Sequence, residues 1–183
     1  MPDELIDIFN ESNEFIGMKK MKSEAHRDGL RHRAAHIWIY NSKGEILLQL
    51  RATDKLLFPD MWDIAVAGHV AAGEDPAISA LRELEEEIGL KVKKEDLQFD
   101  KVIKVEEIYK KIDNKEFNYV YFLKFDGSID ELKKQDEEVQ ELKFMPIEEL
   151  ETELKNNYKK FTPHGQYWFD AIGEVKKRIG KRE

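Results

Sequence analysis

The chain has 183 residues, enough for one ordinary domain with a core of its own. It contains no cysteine, which excludes disulfides, thiolate metal sites and a cysteine nucleophile and fits a reducing compartment. Lys and Arg number 30 against 38 Asp and Glu, and a net charge of −8 argues against a nucleic-acid polymer as partner. The acidic opening MPDELIDIFN is unlike a signal peptide and no apolar run is long enough to span a bilayer, so a cytoplasmic protein with no membrane partner is expected.

In chain order, Leu5–Phe9 alternates as a strand does. Ala34–Tyr40 and Glu45–Leu50 read as a hairpin across Asn41-Ser42-Lys43-Gly44. Asp63–Val70 is a strand of small residues. Asp75, Pro76 and Gly89 supply the cap, the first-turn proline and the stop of a helix that ends at Ile88. Strands are expected at Phe99–Val105, Asn118–Lys124 and Val139–Met145, with a polar loop over Asp126–Glu138. Helices follow near Ile147–Leu154 and Pro163–Ile179, the second with Trp168, Ile172, Val175 and Ile179 at helical spacing. Its basic end, from Lys176 to Arg178 and on to Lys181 and Arg182, complements the helix dipole. No repeat or linker divides residues 1–183, so one domain of the α/β class is expected, a mixed sheet packed between helices.

The helix before Gly89 carries the chemistry. Ala77, Leu81, Leu84 and Ile88 form its core stripe, while Glu83, Glu86 and Glu87 cluster on roughly the opposite face. Like charges at this spacing cost about 0.2–0.5 kcal/mol per pair, and a hard divalent cation reverses that sign. Carboxylate oxygens suit Mg²⁺ or Mn²⁺. Alone, such a run is an ordinary solvated helix face; its neighbours decide otherwise. Gly68, Glu74, Arg82, Glu83, Leu84, Glu86, Glu87, Gly89 and Leu90 resemble the Nudix box, Gly-x5-Glu-x7-Arg-Glu-U-x-Glu-Glu-x-Gly-U, over residues 68–90. U is a bulky aliphatic residue, and all nine specified positions are filled. Chance would give on the order of 10⁻⁵ such matches in this length.

The resemblance implies the family's α/β/α sandwich with a mixed sheet and a hydrolase that uses Mg²⁺ or Mn²⁺ to cleave a diphosphate linkage in a small molecule. A nucleoside di- or triphosphate, or another nucleoside diphosphate derivative, is the expected substrate. Glu83, Glu86 and Glu87 would hold metal, with the backbone of Gly68 as a further oxygen, while Glu74 and Arg82 brace the loop and helix. Glu86 is the first choice of general base and Glu116 its rival. Dimers are common in the superfamily, so a homodimer is an expectation too.

A longer stretch, His26–Gly89, is similar to the Nudix branch nearest the type 1 isopentenyl-diphosphate isomerases, and four of the five histidines fall in it. By that similarity His26, His32, His69 and Glu116 match a second metal site, with Asn114 where a further glutamate is expected; contact with the second shell or with phosphate is the other role open to these histidines. Arg51 and Lys55 match contacts to the substrate diphosphate, where a guanidinium fork and a point charge suit phosphate oxygens. Ala67 stands where the isomerases need a cysteine, and a methyl group moves no proton, so isomerase chemistry is disfavoured. His36 and Trp62 read as core residues, and Tyr109, Tyr119 and Phe161 as unranked candidates for stacking a base. The remaining alternative, a non-catalytic nucleotide-binding module, would be marked by a degenerate box, and this one is complete.

Overall fold

The structure is a computed structural model that describes residues 3–110 and 112–180. Lys181 and Arg182 of the basic tail lie outside the described residues. The elements are β1 (Leu5–Phe9), β2 (Phe15–Met21), α1 (Lys22–Asp28), β3 (His32–Tyr40), β4 (Glu45–Arg51), β5 (Trp62–Ile64) and β6 (Val66–His69). They continue with α2 (Pro76–Ile88), β7 (Gln98–Tyr109), β8 (Ile112–Lys124), β9 (Val139–Pro146), α3 (Ile147–Asn156) and α4 (Gln166–Gly180).

Seven strands form one mixed sheet in the order β5-β4-β3-β8-β7, with β6 on β3 and β9 on β4. The β3–β8 pair is parallel and the other pairs are antiparallel. Strand alternation divides the core in two. Trp38, Ile46, Leu48, Val120 and Phe122 pack against Leu150 of α3 and Trp168, Ile172 and Val175 of α4. On the other face, Ile37, Ile39, Leu47, Tyr121 and Leu123 pack against Ala77, Ala80, Leu84 and Ile88 of α2. The result is the expected α/β/α sandwich.

Helix α2 runs as its local signals dictate. The Asp75 side chain accepts from the Ala77 N–H, Pro76 occupies the first turn, and Gly89 ends it in the left-handed region at φ 68°. A cap of this kind is worth about 1 kcal/mol. Elsewhere tertiary pairing overrides the local pattern. The strand expected over Asp63–Val70 is two strands, because the chain leaves β4 at Ile64 and joins β3 at Val66. The last helix starts at Gln166 rather than Pro163, since Thr162–Gly165 turns, with the His164 N–H on the Thr162 carbonyl and Gly165 at φ 57°. Strand β2 and helix α1 were not expected at all. They fold against β1, and Ala25 packs on Ile6 and Ile8 in a small core of their own. The loop after β8 holds a single short helical turn, Ile129–Glu131. No described helix is long and apolar enough to cross a membrane.

Candidate active site and metal centre

Two groups of side chains meet where β6 ends. The first is the acidic run of α2. Glu83 and Glu87 are 1% and 2% exposed, so two of the three carboxyls face the protein interior rather than the solvated side that the helical pattern implies. Gly68 explains how Glu83 fits: a Cβ there would lie 2.1 Å from the Glu83 carboxyl carbon, so only glycine lets the side chain lie under β6. One Glu83 oxygen has no hydrogen-bond partner among the described residues. Glu87 reaches Gln49 of β4 at 3.4 Å. Glu86 points outward and is far more exposed. The Arg82 Nη1 sits between Glu83, at 2.7 Å, and Glu86, at 3.2 Å, drawing those two carboxylates together. Arg82 also donates to the His69 carbonyl and pairs with Glu74, which accepts from Ser79 at 2.6 Å. Arg82 thus ties Glu74, Glu83, Glu86 and the His69 carbonyl together.

Burial pushes the Glu83 carboxyl up to about 7. Burial, and then the charge of Glu83, push Glu87 up to about 8. Crowded buried carboxyls with an orphaned oxygen fit a divalent cation, which would hold both ionised. The sign of the pH dependence follows. The unfolded chain loses these protons near pH ~4.3, so above that the native state binds more protons and stability falls as pH rises towards ~8. Burial lowers His26 to about 4 and His69 to about 3, which makes stability rise with pH, but only up to ~6.5 where the unfolded histidines finish titrating. Above that the two carboxyls set the slope, opposed by Lys55, which burial lowers. Metal-free protein is therefore expected to lose on the order of 5 °C of Tm between pH ~6.5 and ~8.5, and saturating Mn²⁺ to abolish the loss. A metal-free Tm that is flat over this range would contradict the burial of these two groups.

The second group is His26 of α1, His32 of β3, His69 of β6 and Glu116 of β8. One ligand atom from each lies within 4.8 Å of all the others. The ring centroids are 5.0–5.2 Å apart, and the Nε2 atoms of all three histidines are buried without a hydrogen-bond partner among the described residues. Outer contacts aim two of the rings: His32 Nδ1 lies 2.9 Å from the Leu30 carbonyl, and His69 Nδ1 lies 3.5 Å from Glu4. Such contacts fix the tautomer and turn Nε2 inward, as metal-binding histidines require. Burial alone would raise Glu116, but His32 and His69, with Nε2 at 3.4 and 3.6 Å, hold it well below the usual carboxylate range. Three inward lone pairs and a carboxylate fit a divalent transition metal. The expected second metal set is thus brought together as named, with Asn114 beside it, 4% exposed and its side-chain oxygen without a partner among the described residues.

A cavity of about 280 Å³ opens beside this cluster, and Gly68, His69, Ala67 and Glu116 reach its wall. Of the two basic residues assigned to diphosphate, Arg51 lines the cavity, with Nη1 3.0 Å from Asp63 and Nη2 2.9 Å from the Leu57 carbonyl. Lys55 is bonded to Glu138 instead, is lowered by burial, and does not line the cavity. Behind Arg51, the buried Asp63 accepts from Thr162 at 2.9 Å and meets His164 Nε2 at 2.8 Å. His36 is buried as expected, yet it also lines the cavity, 3.3 Å from the Tyr167 hydroxyl. Phe161 is in the core against Trp168 and is unavailable for stacking. Sequence reasoning missed Glu4, Asp63 and His164, which meet the site only through the fold.

A profile of the NUDIX domain matches residues 30–165. The chain is 39% identical over 184 residues to Nudix hydrolase 3 of Arabidopsis thaliana, covering 94% of this chain and 24% of that protein. It therefore spans about a quarter of that relative's length. It is 30% identical over 170 residues to the isopentenyl-diphosphate Delta-isomerase of Serratia proteamaculans, covering 93% of this chain and 89% of that one. Among solved structures, a Deinococcus radiodurans protein superposes with a TM-score of 0.70 at 20% identity, over 94% of this chain and 99% of its own.

Proposed function

The chain belongs to the Nudix family, and on that premise we propose that it is a single Nudix hydrolase domain that cleaves a diphosphate linkage in a small molecule with the help of Mg²⁺ or Mn²⁺. The observation that carries the reading is the pairing of a complete box, in which Glu83 is buried against Gly68 and Glu87 beside Gln49, with a cavity whose wall Gly68 reaches. The substrate is a nucleoside di- or triphosphate or another nucleoside diphosphate derivative, a choice that rests on the resemblance to the family.

Glu83, Glu86 and Glu87, with the Gly68 carbonyl, would hold the metal, which when bound would supply charge neutralisation at phosphorus and a more acidic water. His26, His32, His69 and Glu116 would hold a second ion. Arg51 is the cation on the cavity wall suited to the diphosphate, while Lys55 reaches phosphate only by leaving Glu138. Glu116 is committed to two imidazoles, which favours Glu86 as the base: among the described residues its carboxylate has only Arg82 as partner, and it lies open to solvent water. As the water oxygen bonds to phosphorus, its proton passes to that carboxylate, and the bridging P–O bond breaks with the oxygen leaving on the departing phosphate.

The isomerase relative favours a second reading, hydrolysis of a prenyl diphosphate in the same site, with Ala67 on the cavity wall and no thiol to move a proton. A phosphate-release screen separates these readings. Protein with Mg²⁺ or Mn²⁺ would meet nucleoside di- and triphosphates, nucleotide sugars, dinucleoside polyphosphates, dinucleotide cofactors and isopentenyl diphosphate, with an auxiliary phosphatase in parallel wells to free phosphate from monoester products and Glu86→Gln as the blank. The expected result is metal-dependent turnover of a nucleotide class, lost in the variant. Nucleotide binding without product after long incubation with Mn²⁺ would instead mark a binding module.

A further inference from the structure

The cavity has a chemical bias that the diphosphate chemistry does not use. Asn114 and Asn118 project from the same face of β8 onto its wall, 4% and 2% exposed. The side-chain oxygen of each is buried with no hydrogen-bond partner among the described residues. Glu107 pairs with Asn114 across the β7–β8 register and lines the same wall. On the far side the Tyr167 hydroxyl is already engaged, accepting from the Trp38 indole at 2.8 Å and lying 3.3 Å from His36.

An unsatisfied buried carbonyl carries the full desolvation cost of that group, and two in one cavity make its filling a matter of hydrogen-bond donors. A hydrocarbon placed here would leave both oxygens and the Glu107 carboxylate unpaired. A group rich in O–H donors would satisfy them. Ala34, Ile103 and Val105 on the same wall offer an apolar strip for C–H groups, so the lining is amphipathic as a sugar ring is. At about 280 Å³ the space falls at or below the ~300–1,000 Å³ of pockets that take a whole drug-sized ligand, so it suits one end of a substrate.

We propose that Asn114, Asn118 and Glu107 are specificity-determining residues, selecting a hydroxylated group, a sugar or sugar-like polyol, as the part of the substrate that occupies this cavity. The proposal rests on the diphosphate-hydrolase reading for what that group is attached to, and not for its binding. Sites built to hydrogen-bond a hydroxyl reject the analogue lacking it far more strongly than apolar pockets reject an extra methylene.

Titration calorimetry in Mn²⁺ with ribose 5-phosphate and with isopentenyl monophosphate tests this without turnover. The unsubstituted protein is expected to bind the sugar phosphate about 30-fold more tightly, as two added hydrogen bonds predict. Asn118→Leu, and separately Glu107→Leu, should each weaken the sugar phosphate at least about tenfold and leave the isopentenyl compound unchanged or tighter, with Tm recorded to confirm folding. Equal binding of the two ligands, or variants that weaken both alike, would overturn the assignment. In parallel, kcat/KM would be compared for a nucleotide sugar and isopentenyl diphosphate. Hydrolysis of both without preference sinks the selectivity and spares the hydrolase. A preserved binding preference with neither diphosphate hydrolysed does the reverse.

Discussion

Replacing Glu87 by Gln is expected to lower kcat at least a hundredfold while leaving the metal-free protein folded and, above pH ~7, at least as stable as the parent. The two effects have one cause. Glu87 is buried, and burial together with Glu83 raises its carboxyl to about 8, so its ionised form is costly until a cation arrives. Glutamine keeps the volume and a partner for Gln49 but removes the anionic ligand. A hundredfold loss corresponds to about 2.7 kcal/mol of transition-state stabilisation, within the range of a single electrostatic contact at a reacting phosphate. Steady-state kinetics and thermal melts with and without Mn²⁺ check both halves. Glu86→Gln should match the kinetic loss without the stability gain, because Glu86 is already exposed. Normal turnover in both variants would remove the metal assignment from α2.

His32→Gln is expected to abolish a tightly held ion. His32 is wholly buried, its Nδ1 is tied to the Leu30 carbonyl, and its Nε2 faces Glu116. Imidazole-rich sites favour transition metals over Mg²⁺, so protein loaded with Zn²⁺ or Mn²⁺ and then desalted should keep about one ion per chain, and the variant close to none. Glu4→Gln, which weakens the outer contact to His69 together with the Glu4 pairs to Lys22 and Arg82, should weaken metal binding roughly 10–100-fold. Elemental analysis of the desalted proteins reads both. An ion count in His32→Gln equal to that of the parent would mean the cluster is not the tight site.

What the sequence disclosed depended on whether the signal was local. Helix α2 was legible because Asp75, Pro76 and Gly89 act within a turn of the residues they cap. The box was legible because its spacing is fixed along one strand, loop and helix. The burial of Glu83 was not, since it depends on what a missing Cβ at Gly68 permits across a gap of fifteen positions. Helix α1 has seven residues, too few for periodicity to register, and it is held by packing on β1. Strand β2 is mostly exposed and owes its form to pairing with β1. The Asp63–His164 contact joins residues 101 apart, and nothing near either one announces the other. The histidine cluster lay between these cases: the residues could be named by resemblance, but only the fold shows three Nε2 atoms turned inward.

The change of partner at Ala65 carries a consequence for how such a chain can vary in length. Asp63, which anchors Arg51, and Gly68, which admits Glu83, are joined by only five steps of backbone, two short paired strands with a bend at Ala65, which act as a ruler of fixed length. One inserted or deleted residue there would turn every later side chain of β6 to the wrong face and separate the anion-holding wall from the acidic helix in a single event. The turn at Asn41–Gly44, by contrast, joins the other ends of β3 and β4, and an added residue there leaves that ruler untouched. Variation among related chains should accordingly accumulate as insertions at that turn and as side-chain exchanges along the cavity wall, with the span from Asp63 to Gly68 constant in length.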